Sequence, residues 1–262
     1  MHKRRLTYFS IFATVTVVVA TFLLVEPQTE SAQNQETITP HIATDVSTMT
    51  DSLSPLTDAP TEVNSLPSKV WLDVPFTPQT PFGEWSDLRQ DYGCEEASSL
   101  MVWHWLQNKP LTLQEAKAEI IALSEWQLER YNDFHDRSTG DTAEMFREYF
   151  QYDRVRVAYD IGISDIRREL ASGNAVIVPV HGQKLDNPYF TPPGPVQHMV
   201  VVRGYDDETR EFIVNDPGTR RGEAIRYRYD TLMTALQDYG TGWNEPIEEI
   251  RSAMIVVEKS GR

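Results

Sequence analysis

Leu6 to Val25 is a run of 20 residues without a single charge, long enough to cross the hydrocarbon core of a bilayer. Lys3, Arg4 and Arg5 stand directly before it, and flanking positive charge holds an N-terminus on the cytoplasmic side. The segment therefore targets the chain rather than helping it fold, and residues 1–25 form an anchor or signal. Val18-Val19-Ala20 offers a cleavage site, but cutting there would leave Thr21 to Val25 as an apolar stub. The expectation is an uncleaved single-pass anchor in the cell membrane through residues 6–25, with the rest extracytoplasmic. Secretion after cleavage is the alternative.

Residues 26–68 are a different material, rich in Thr, Ser, Gln and Pro, with seven acidic residues and no Lys or Arg. Such a composition cannot bury enough apolar surface to offset the entropy of ordering, and it reads as a disordered tether. Folding is left to residues 69–262, enough for one good-sized core. The net charge of −15 exceeds what the tether supplies, so the folded part is acidic too. That charge repels a phosphate backbone, and no basic stripe interleaved with aromatics appears, so nucleic acid is not an expected partner. No glycine-rich phosphate loop is present, and no cofactor is expected.

Cys94 is the only cysteine, which excludes an internal disulfide and a cysteine-rich zinc site. It follows Gly93 and opens the apolar-periodic run Ala97, Leu100, Met101, His104, so it should sit in the first turn of a helix. The free N–H groups there favour a thiolate. The plainer alternative is a small buried hydrophobe. Further along, Val70 to Gln79 reads as an edge strand limited by Pro75 and Pro78. Thr112-Leu113-Gln114-Glu115 and Asp141-Thr142-Ala143-Glu144 have the form of capping boxes opening two more helices. Arg154 to Tyr159 alternates like a strand, Ser164 to Ala171 reads as a short helix, and Ala175 to Val180 as a buried strand. Gly182 to Gln197 is a long loop, and a loop of that length in a compact domain is more often functional than idle.

His198 opens the strand Met199-Val200-Val201-Val202, which turns over Arg203 to Arg210 and returns through Glu211 to Asn215 into Asp216-Pro217-Gly218. Phe212, Val214 and Asp216 share one face by the period of two. His198 and Asp216 thus lie at the open end of one hairpin, where a carboxylate can orient an imidazole. A polar residue at a strand edge is the alternative for His198. His104 is expected in a core or interface role, and His181 at the edge of the cleft. Trp85, Trp126 and Trp243 are expected as core or cleft wall. Converging ligands for a metal cannot be assembled from the sequence, so no metal is expected.

Gly93-Cys94-Glu95 opening a helix, His198 opening a valine-rich strand and Asn215-Asp216-Pro217 ending the next resemble family 39 of the cysteine peptidases. These are bacteriocin-processing, double-glycine leader peptidases, together with their stand-alone relatives. The resemblance runs from about Trp71 to Val257 and includes Val-Pro-Phe-Thr-Pro-Gln and Val-Asn-Asp-Pro-Gly in family order. It implies an α+β, papain-like fold with helices packed on an antiparallel sheet, and a peptide or protein substrate. Cys94 matches the nucleophile, His198 the general base, Asp216 the residue orienting the imidazole, and Gln79 the oxyanion-hole donor. Gln79 stands farther ahead of Cys94 than is usual, which leaves Gln90 as a rival. Glu95 and Glu96 oppose thiolate formation. No transporter domain follows, so leader removal coupled to export is not expected. Two other functions fit the same fold: a catalytically silent binding module, and an acyltransferase or peptidoglycan amidase.

Overall fold

The computed structural model describes residues 65–243, 245–247 and 249–259. The anchor segment and residues 26–64 of the tether lie outside the described residues. Among those described, no helix is long and apolar enough to cross a membrane.

The chain begins with β1 (Lys69–Trp71), followed by α1 (Leu88–Asp91) and α2 (Cys94–Leu106). Next come α3 (Leu113–Tyr131) and α4 (Thr139–Phe150), then β2 (Val155–Tyr159), α5 (Ile163–Ala171) and β3 (Ala175–His181). After the long loop, β4 (Gln197–Asp206) and β5 (Glu211–Asn215) form the hairpin, and β6 (Ile225–Arg228), α6 (Tyr229–Ala235) and β7 (Ala253–Val257) complete the order. Thr112 caps α3 with the full reciprocal box: its side chain accepts the Glu115 N–H while the Glu115 carboxylate accepts the Thr112 N–H. Two otherwise orphaned donors are satisfied at once.

All strands join one antiparallel seven-stranded sheet in the order β2-β7-β3-β4-β5-β6, with β1 pairing the far end of β4. Side-chain alternation gives each face its own core. Val176, Val178, Val200 and Val202 point to one side, where Ile166 and Leu170 of α5 and Leu232 of α6 cover them. Ile177, Met199, Val201 and Ile255 point to the other, against Met101 and Val102 of α2 and Phe146 of α4. β3 is apolar at every interior position because both of its faces are covered, so neither set of side chains meets water. Helix α3 packs outside α2 through Ala116 and Ile120 against Ala97 and Leu100. This is the α+β arrangement, helices on an antiparallel sheet, expected from the sequence.

Three local expectations are corrected. The helix expected to open at Asp141 begins at Thr139, because Ser138 is the cap and its hydroxyl accepts the Asp141 N–H. The hairpin turn lies beyond Asp206 rather than at Arg203, with a register shift between Val202 and Gly204. Arg203 stays in the strand, buried, because its guanidinium lies over the Trp71 ring and its Nε–H donates to Leu72 O. The edge strand expected from Val70 to Gln79 pairs only over Lys69–Trp71, and the chain from Leu72 to Gln79 continues as loop; between β2 and β3 lies the apolar five-residue strand β7.

Ile255 in β7 is fully buried, whereas Ile250, just before it, is 72% exposed. Truncation in a core removes transfer free energy and leaves a cavity. Ile255→Ala should therefore lower the unfolding free energy by about 2–5 kcal/mol, measured by denaturant titration, while Ile250→Ala should stay within about 0.5 kcal/mol of the parent.

Candidate active site

Cys94 is the first residue of α2, with Gly93 as the cap. A Cβ at position 93 would stand 3.0 Å from Arg89 O and 3.1 Å from both Gln90 O and Ile120 Cγ2. Glycine lets α1 and α3 crowd this helix start. Ser98 Oγ donates to Met199 O at 3.2 Å, which ties α2 across the sheet to the residue after His198.

His198 is the second residue of β4, opposite Val180 of β3. Its Nε2 lies 2.8 Å from Asp216 Oδ1, and facing a carboxylate makes that nitrogen the N–H donor. In the neutral ring Nδ1 is then the proton acceptor. The ring is held edge-on by Phe190. Gly218 lies beneath it, where a Cβ would come within 3.0 Å of His198 Cε1 and 2.8 Å of Phe190 Cε1.

Asp216 is fully buried. Beyond His198 it accepts from Gly218 N at 3.0 Å, and its Oδ2 accepts from Asn187 Nδ2 and Tyr227 Oη, each at 2.9 Å. Burial works against its charge, yet the field and hydrogen bond of His198 and the donated Tyr227 and Gly218 bonds outweigh it and hold the carboxyl below its ordinary range. Its neighbour Asn215 faces elsewhere. The Asn215 amide donates to Val74 O and Pro75 O, and its Oδ1 accepts from Ala224 N, so it clamps the β1 exit to the β5–β6 turn.

Gln79 Nε2 donates to Gln90 O at 3.2 Å and Asp91 O at 2.6 Å, and its backbone N–H donates to Pro217 O. Two carbonyl partners fix the amide's orientation. Gln90, the rival, is buried, and its Nε2 points to Glu84 and Asp87. A cleft of about 920 Å³ brings Cys94, His198 and Gln79 to one cavity; Gln90 does not line it.

The structure adds what the sequence did not suggest. The Cys94 thiol donates to Glu95 Oε2 at 3.1 Å, and among the described residues no hydrogen bond joins it to His198. Glu95 Oε1 accepts from Arg137 N at 3.1 Å and Tyr239 Oη at 2.8 Å. Asp136 completes the cluster, its donor atom and those of Cys94 and Glu95 all within 4.8 Å of one another. Burial, Glu95 and Asp136 push the thiol well above its ordinary pKa. The helix start alone does not make it a thiolate, contrary to the simplest expectation. Burial, with Glu95, Asp133 and Asp91 nearby, pushes Asp136 up to about 8.

These three residues are also the converging metal-type donor set that the sequence did not reveal. Glu95 is already occupied by three donors, which leaves little for an ion. His104 Nδ1 sits 2.8 Å from Pro110 O at the far end of α2. His181 ends β3 and does not line the cleft, whereas Trp85 does. Trp126 packs edge-on against Tyr131 and Tyr149, and Trp243 stacks on His135.

Asp136 carries a pH prediction. Its folded pKa of about 8 lies above the ordinary 3.8, so the stability associated with its proton is fully present below about pH 4 and is lost as pH rises through 8. Asp136→Asn removes that loss. The melting temperature of the variant minus that of the parent should grow by several degrees between pH 5 and pH 8; a difference independent of pH would contradict the burial of this carboxyl.

The Peptidase_C39 like family matches residues 71–245. Among solved structures, a C39-like peptidase from Bacillus anthracis is similar, with a TM-score of 0.45 and 18% identity over 74% of this chain and 99% of that one. Xylellain, a cysteine protease from Xylella fastidiosa, gives a TM-score of 0.32 and 14% identity over 76% of this chain and 88% of that one. No curated protein matches.

Proposed function

The chain belongs to the Peptidase_C39 like family, and from that premise we propose that it is a membrane-anchored cysteine peptidase using Cys94, His198 and Asp216, with Gln79 beside them. The observation that carries this reading is the His198–Asp216 pair, set so that imidazole and thiol line one cleft. The Cys94 proton passes to His198 Nδ1, and the sulfur attacks the substrate carbonyl carbon. Asp216 holds the ring and stabilises the imidazolium. The Cys94 backbone N–H and, once it releases a carbonyl of α1, the Gln79 amide bind the developing oxyanion. The imidazolium then protonates the leaving amine, and water hydrolyses the thioester on Cys94. The bond cleaved is a peptide or isopeptide.

One observation favours the silent binding module instead: the thiol is engaged with Glu95. A peptide carrying a thiol-reactive warhead separates the two. His198-dependent labelling of Cys94 supports the enzyme, and labelling that is absent, or unchanged in His198→Ala, supports the module.

Two predictions follow from the triad. Cys94→Ala should abolish hydrolysis while leaving the melting curve nearly unchanged. Asp216→Asn should lower kcat by about two to four orders of magnitude with little change in KM. Asn215→Ala should do the reverse, lowering the melting temperature because Val74 O, Pro75 O and Ala224 N lose their partner, while the folded enzyme keeps its kcat. If Asn215→Ala has the larger effect on kcat at matched stability, the assignment of Asp216 is wrong.

The anchor belongs to the same proposal. The full-length chain should sediment with membranes and resist extraction by high salt, and recovery of a mature protein beginning near Thr21 in the medium would overturn it.

A further inference from the structure

Asp136 is 6% exposed, lines the cleft, and among the described residues its carboxylate has neither a hydrogen-bond donor nor an ion-pair partner. Two other carboxylates of the site are served: Asp216 has four donors, and Glu95 has Arg137 N, Tyr239 Oη and the Cys94 thiol. The Asp136 oxygens are not among the buried atoms sealed off without a partner, so the carboxylate opens to the cleft it lines and is available to a ligand that supplies a donor. The position is informative as well. A carboxylate oxygen of Asp136 lies within 4.8 Å of Cys94 Sγ, so whatever pairs with it sits beside the reacting atom.

The acidic end of the cleft is set by Asp136, within 4.8 Å of the Cys94 sulfur, and by Asp91, whose charge acts on Asp136; Arg220 and Arg221 line the same cleft. A divalent metal suits the acidic end poorly, because it needs several free ligands and Glu95 is already committed. A single ammonium group needs one free carboxylate and gains from a second nearby. We propose that Asp136, assisted by Asp91, is the recognition site for a primary ammonium group of the substrate, held next to the bond that Cys94 attacks. This deepens the peptidase reading and rests on it. A docked cation would also offset the carboxylate field around the sulfur, so the nucleophile would be most readily ionised when the matching substrate is in place.

The sequence contains one cysteine, so thiol modification of the full-length chain reports Cys94 alone. The probes are methanethiosulfonates carrying an aminoethyl, a methyl or a sulfonatoethyl group. In each case the Cys94 thiolate forms a disulfide with the reagent's thiol sulfur, and methanesulfinate leaves. After correction for rates with a small free thiol, and at a pH just above 8 so that most of Asp136 is ionised, the cationic reagent should react at least ~10-fold faster than the anionic one at low salt, and the ratio should shrink as salt is added. Asp136→Asn should bring the ratio down to within about threefold, and Asp91→Asn should lower it less. Two competitors tested against the neutral reagent distinguish the sources of the ammonium. Protection by Nα-acetyl-lysine amide assigns a side chain, and protection by glycine amide assigns a chain N-terminus. A parent ratio near one, a ratio unchanged in folded Asp136→Asn, or protection by neither amine overturns the proposal. Turnover is not measured, so a protein that hydrolyses nothing can still pass, and a working peptidase can still fail.

Discussion

The buried carboxylate of Asp216 organises half of the molecule. An unpaired charge with no exposure would cost several kcal/mol or neutralise itself, so it must be surrounded by donors, and they come from four different places. His198 comes from β4, Tyr227 from β6, Asn187 from the long loop and Gly218 from its own turn. That requirement gives the long loop after β3 a reason to be ordered: Asn187 brings it to the sheet, and Phe190 then closes on the imidazole. The backbone is fitted just as closely. A Cβ on Gly222 would run into the carbonyl oxygen of Asp216, and one on Gly218 into the His198 ring. Positioning of the imidazole is therefore a property of the whole β4–β6 end of the sheet.

A second buried carboxylate group lies on the α2 side of the cleft, and its environment is the opposite one. Asp216 is held below its ordinary pKa by an imidazole and three further donors, while Asp136 is raised to about 8 by burial and by Glu95, Asp133 and Asp91. Residues of one chemical type, driven apart by their surroundings, take different roles. One keeps a fixed charge to orient a ring. The other holds its proton, or awaits a cation, next to the sulfur.

How much of this was legible in the sequence depended on how local the cause was. Helices α2, α3 and α5 announced themselves through a glycine start, a capping box and periodicity, and β2 and β3 through alternation and a continuous apolar run. The elements α1, β6, α6 and β7 did not, because they have only four, four, seven and five residues. Segments that short are set by the neighbours they pair with rather than by their own pattern. Alternation put Phe212 and Val214 on one face correctly, but β5 ends at Asn215. Asp216 is turned by the Asp216 N to Gly222 O bond, a contact that no periodicity encodes. Asp136 was invisible for a related reason. It sits in the aperiodic link between α3 and α4, and only packing against Glu95 and Cys94 makes it a cleft residue.

The same balance governs the sulfur. A helix N-terminus favours an anion by about 0.3–2 kcal/mol, whereas one carboxylate about 5 Å away disfavours it by about 3 kcal/mol at an effective dielectric constant near 20. Glu95 lies closer than that, 3.1 Å from the sulfur, and Asp136, within 4.8 Å of it, adds to the effect once ionised, so the helix is outweighed and the resting side chain is a thiol. Ionisation then requires a positive charge brought to the sulfur from the open side of the cleft. In the mechanism proposed above His198 accepts that proton, because Asp216 fixes its Nε2–H and leaves Nδ1 as the acceptor nitrogen. The thiol's present hydrogen bond to Glu95 must be given up when the sulfur turns toward the ring. Glu95 stays in place through that exchange, since Arg137 N and Tyr239 Oη keep hold of its other oxygen. The carboxylate beside Cys94 is thus anchored independently of the thiol.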